Sequence, residues 1–77
     1  MILEPGMTVI GADDPCTVLA VTEDKVLLLR QTNLEPQFVC GHFPEYNKEK
    51  NTVTWCWGHY FRKDHLKDAV ELYEGWK

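Results

Sequence analysis

The sequence has little of what stabilises or identifies most very small domains. Its three cysteines, Cys16, Cys40 and Cys56, are an odd number with no C-x-x-C spacing, so neither a disulfide framework nor a zinc ribbon can be written from them, and they read as reduced thiols. Apolar runs such as Val26 to Leu29 are far shorter than the roughly 20 residues of a membrane-spanning helix. No basic segment followed by an apolar stretch opens the chain, so no secretory leader is expected and the cytoplasm is the expected compartment. There is no Gly-rich phosphate loop, no Gly-x-Ser-x-Gly elbow and no metalloprotease His-Glu motif. Positive charge is also scarce. Eight Lys and Arg stand against twelve Asp and Glu, a net charge of −4, which is a poor balance for neutralising duplex phosphates.

What is present is an ordinary globular composition with a surplus of rings. The 77 residues are 44% hydrophobic and 26% charged, with three Trp, three Tyr and three Phe. A chain this short builds one core in one domain, covering residues 1–77, with no room for a repeat. Five strands are expected, over about 7–10, 16–22, 25–31, 37–46 and 52–61. The second and third are joined by Glu23-Asp24, short enough for a tight hairpin; the fourth and fifth flank Asn47-Lys-Glu-Lys-Asn51. Val18 and Ala20 are expected on one face of their strand, with Leu19 and Val21 on the other.

A helix is expected over about 64–75, with Asp64 as its N-cap and Leu66, Ala69, Val70 and Tyr73 on one stripe. Gly75 suits its C-terminal end, with Trp76 as a packing lid. The order β-β-β-β-β-α contains no βαβ unit, so the chain reads as α+β: a mostly antiparallel five-stranded sheet with one C-terminal helix. A partly open small barrel, Src-homology-3-like, is the preferred architecture, and a flat sheet crossed by the helix is the alternative.

Two constellations carry chemical interest. Cys40-Gly-His42 and Cys56-Trp-Gly-His59 together hold two thiols and two imidazoles, the ligand types of zinc. With the intervening loop centred on Glu49, Cys40, His42 and Cys56 share a face and His59 turns away unless a bulge at Gly58 returns it. The spacing is not that of structural zinc sites, so no metal and no cofactor are assigned, and a small zinc module stays an alternative. Acidic pairs at Asp13-Asp14 and Glu23-Asp24 fall in expected turns, where carboxylates form turns and solubilise. No nucleophile, base and orienting group are grouped for catalysis, so the chain is not expected to be an enzyme.

The second constellation is the ring-rich fifth strand, with Trp55, Trp57, His59 and Phe61 on one face and Tyr60 on the other. Both faces cannot be the same core, so some rings are expected to remain exposed as a binding surface: His42, Tyr46, Trp57, His59 and Tyr60. A protein partner is expected. A single-stranded nucleic acid stacked on the rings beside Arg62 and Lys63 is the alternative, and both monomer and homodimer are compatible.

From Phe38 onward, and above all in Trp55-Cys-Trp-Gly-His-Tyr-Phe61 followed by the helix containing Ala69-Val-Glu-Leu-Tyr73, the chain resembles a set of small uncharacterised proteins. These are encoded by Gram-positive bacteria, their phages and conjugative elements. The Pro-Gly-x-x-Val opening separately resembles small-barrel modules. The first resemblance implies an accessory protein that binds and modulates a host or defence protein, inhibitors of nucleic-acid-targeting nucleases included. Neither resemblance implies a catalytic or ligand residue.

Overall fold

In the computed structural model, which describes residues 3–75, the chain forms seven strands and one helix. The strands are β1 (Thr8–Gly11), β2 (Asp14–Val21), β3 (Lys25–Arg30), β4 (Gln37–His42), β5 (Glu45–Asn47), β6 (Thr52–Thr54) and β7 (Trp57–Arg62), followed by α1 (Leu66–Gly75). They lie in one open sheet of order β5-β6-β1-β2-β3-β4-β7, antiparallel throughout except for β1 against β6. The fold is thus α+β with a C-terminal helix, as expected, but has seven strands where five were expected.

The two extra strands come from breaks in the expected fourth and fifth. The first break is at Phe43-Pro44: Phe43 has φ of 52°, and Pro44 has no N–H to continue a ladder. The second is at Trp55-Cys56, where Trp55 leaves the strand line and turns inward. The short β5–β6 hairpin between them is anchored by Asn51, whose Nδ2 donates to Thr8 O at 3.0 Å and whose carbonyl accepts from Ile10 N–H at 2.9 Å.

The two tight connections follow from local chemistry. Gly11 and Asp14 are paired, and the two loop residues between them, Ala12 and Asp13, both have positive φ, the geometry that matches hairpin twist. At the next turn Thr22 Oγ1 accepts from the N–H groups of Asp24 and Lys25 at 3.3 and 3.2 Å. Register slips between Val18 and Ala20, leaving Leu19 as a bulge. Val18 and Val21 therefore lie on one face and Ala20 on the other, which corrects the simple alternation expected of this strand.

The helix starts at Leu66, with His65 rather than Asp64 in the capping position: His65 O accepts from Ala69 N–H at 3.1 Å, and its ring meets Asp68 Oδ2 at 3.0 Å. Ala69 and Tyr73 are buried, whereas Leu66, expected on the same stripe, is exposed. Trp76 lies outside the described residues.

The sheet buries both faces. On one, Ala69 and Tyr73 of α1 cover Leu27, Phe38 and Cys40. On the other, Val9, Cys16, Val18, Val26, Leu28, Val39 and Val53 form the inner core. The inner core needs no second layer because the sheet curls over it. In strand order Gly11 and Gly58 are four steps apart, roughly 19 Å if the sheet were flat. Yet a methyl carbon added to Gly11 would lie 3.1 Å from Trp55 Cζ3, and one added to Gly58 would lie 2.8 Å from Trp55 Nε1. One indole spans that gap only if the sheet is strongly coiled. The order stays linear, with no pairing between β5 and β7, so no closed barrel forms.

Candidate functional site

The site is built on β4 and β7, which pair Phe38 with Phe61, Cys40 with His59 and His42 with Trp57. Directly opposed residues share a face, and Phe38 and Cys40 face the helix. A two-column row therefore runs along the helix side of the sheet. Its lower part, around Phe38 and Cys40, lies under α1. Its upper part is His42, Trp57 and His59, joined by Phe43 from the loop.

These rings touch one another. His42 lies 4.8 Å from Trp57 and 5.7 Å from His59 between centroids, and Phe43 meets Trp57 edge-on at 5.5 Å. Even so, Trp57 is 53% exposed and Phe43 49%. The His42 imidazole titrates below the usual histidine value, first because it is partly withdrawn from water and second because His59 is close. Lys25, on β3 and directly paired with His42 of β4, donates to Tyr73 O and sits 4.5 Å over the Tyr73 ring. It thereby ties the last turn of α1 to the sheet.

The structure distributes the five expected binding residues over three places. His42, Trp57 and His59 stand together. Tyr60 is on the opposite face, half exposed, accepting a hydrogen bond from Trp55 Nε1 at 3.2 Å. Tyr46 is on β5, where its hydroxyl donates to Asn51 Oδ1 at 2.7 Å and its ring packs against the inner core. Trp55, expected on the same face as Trp57, is inside the curl, over Gly41 and Gly58. Phe43 was not anticipated. A phenylalanine directly before a proline, at the end of a strand, was the available sign, because that position breaks the ladder and releases the ring from the sheet.

The thiol and imidazole set is rearranged relative to expectation. His59, not Cys56, shares the face of Cys40 and His42, because His42 pairs with Trp57 rather than with Cys56. Cys56 is exposed just before β7, its N–H donating to His42 O at 3.0 Å. Cys40 is fully enclosed, its thiol 3.3 Å from Ala69 O. Among the described residues no three His, Cys, Asp or Glu side chains converge as metal ligands.

Burial pushes the Cys40 thiol up to about 11, against a slight lowering by Lys25, and raises Cys16 as well. Two results are expected. Under native conditions a thiol reagent modifies one cysteine, Cys56, at once, and Cys16 and Cys40 only on unfolding, as read by mass spectrometry. Because the folded state holds the Cys40 proton more tightly than the unfolded chain, its stabilising contribution is complete below pH about 9 and is lost as pH rises to about 11, on the order of 1–2 kcal/mol. Urea unfolding at pH 7 and pH 10.5 measures it, and Cys40→Ala should flatten the dependence.

No protein-family model, curated protein or solved structure matches this chain. Among the described residues no helix is long and apolar enough to cross a membrane.

Proposed function

We propose that the chain is a small non-catalytic binding protein that docks onto another protein through the exposed rings around β7, with Trp57 as the anchor. The supporting observation is that Trp57, Tyr60 and Phe43 are each about half exposed, at 53%, 52% and 49%, although both faces of the sheet already have filled cores. Side chains of this type dominate interface energetics, and a small protein gains nothing in stability from holding them in water. The curled sheet and helix, in the manner of a Src-homology-3-like half-barrel, serve as the rigid mount.

Charge favours a protein over a nucleic acid. The net charge is −4, and the basic pair beside the rings, Arg62 and Lys63, has Glu35 at 3.9 and 4.0 Å. Following the resemblance to accessory proteins of phages and conjugative elements, the partner is a host protein, with defence nucleases among the candidates.

Immobilised wild-type protein is expected to retain a specific protein from a Gram-positive host lysate that the double variant Trp57→Ala/Tyr60→Ala fails to retain. Equal retention by both would reject this surface. In parallel, no oligonucleotide binding is expected at any salt concentration. Binding that weakens steeply with salt and with Arg62→Ala would transfer the function to single-stranded nucleic acid.

A further inference from the structure

We infer that the recognised feature is the free backbone edge of β7, and that the partner binds as an extended strand added to it. This rests on the protein-binding reading above and narrows it to one mode of contact.

Two half-exposed rings of β7 point to opposite faces of the sheet: Trp57 lies with His42 on the helix side, and Tyr60 with Trp55 on the inner side. No flat surface can cover both. The only element they share is the strand edge between them.

The hydrogen-bond ladder shows which groups that edge presents. Phe43 N–H donates to Asp24 O at 2.7 Å, so residues 43, 41 and 39 turn their backbone groups toward β3, and His42, Cys40 and Phe38 turn theirs toward β7. Trp57, His59 and Phe61 answer them. The backbone groups of Gly58 and Tyr60 therefore point away from β4, and among the described residues no further strand lies on that side, because β7 ends the sheet. Such a row of alternating donors and acceptors, at strand spacing, is complementary to an extended polypeptide.

Side-chain space on both flanks fits the same occupant. On the helix side an added strand would lie beside Trp57, His59 and Phe61. On the inner side it would meet a groove of about 240 Å³ lined by Ala12, Val53, Thr54, Trp55 and Tyr60. Apolar side chains on both sides of the incoming strand match this. Trp57–Arg62 carries no acidic residue, and at its C-terminal end Arg62 and Lys63, 75% and 61% exposed, share the single carboxylate of Glu35, so one positive charge is left over and the segment carries an acidic residue at the end that meets it. A second copy paired edge to edge fits less well, because β7 itself offers no acidic residue to Arg62 and two chains of net charge −4 repel.

The test selects twelve-residue peptides from a displayed random library on the purified wild-type protein and examines the tightest one. It should be apolar at most central positions, with an acidic residue near one end. Its binding should slow amide exchange at Gly58 and Tyr60 by about tenfold or more, while the amides of Trp57, His59 and Phe61 are slow from the start. N-methylation of its alternate amides on the side facing β7 should abolish binding, and methylation of the other set should not. Arg62→Glu should weaken it about tenfold.

A peptide that binds, is lost with Trp57→Ala, yet leaves Gly58 and Tyr60 exchanging freely would overturn the edge and keep the ring surface. Binding insensitive to Trp57→Ala, or no enriched peptide, would overturn both. Protection of Gly58 and Tyr60 that grows with protein concentration alone would replace the partner strand by a second copy.

Discussion

Trp55→Ala is expected to lower the unfolding free energy by about 3 kcal/mol, the largest loss from any single ring. The indole is only partly buried, but it fills the concave side of the sheet between Gly11, Gly41 and Gly58 and donates to Tyr60 Oη at 3.2 Å. Its removal leaves a space that the three glycines lining it, Gly11, Gly41 and Gly58, have no side chains to fill. The curl should relax, and the β5–β6 hairpin should become the first region to exchange its amides. Urea unfolding checks the energy, and residue-resolved hydrogen exchange checks the location.

The second large effect comes from the opposite change. Gly41→Ala places a methyl carbon 2.9 Å from Trp55 Cγ and 3.0 Å from its Cβ, closer than carbon atoms pack, and against the base of the side chain rather than its movable end. Overpacking of this kind costs about 1–3 kcal/mol, and the upper half of that range is expected here. The two substitutions should not add. In the Trp55→Ala background the new methyl has room, so Gly41→Ala should become close to neutral, giving a coupling of about 2 kcal/mol in the double-mutant cycle. Additive losses would mean that Gly41 matters for its backbone rather than for the indole.

The fold class was legible in the sequence because it rests on local signals. The Glu23-Asp24 turn, the flanking apolar strands and the helical spacing of Ala69, Val70 and Tyr73 are each visible within a few residues. What was not legible is long-range. Pairing His42 with Trp57 instead of Cys56 is a shift of one residue, and with a side-chain period of two it exchanges every residue of β7 between the faces. That shift moved His59 to the side of Cys40, and Tyr60 to the inner side. It arises because the expected simple hairpin contains an extra pair of short strands, β5 and β6. Pro44 marked the break. The role of Trp55 depends on three glycines that come together only through the strand order, so no sequence window contains it.

The candidate site was legible in part for the same reason. An excess of rings over core volume can be counted from composition, and it located the surface on the last strand. Which rings are surplus depends on register and curl. Trp55 and Trp57 are two residues apart and identical in chemistry, yet one pins the fold and the other lies half in water.

The difference between these two tryptophans is also what the functional reading depends on. The decisive measurement is the urea-unfolding free energy of Trp57→Ala beside that of Trp55→Ala. A loss of about 1 kcal/mol or less at Trp57, where among the described residues the ring contacts given up are those with His42 and Phe43, against about 3 kcal/mol at Trp55, is the predicted result. Equal large losses at both positions would mean that Trp57 belongs to the fold and is not held in reserve for a partner.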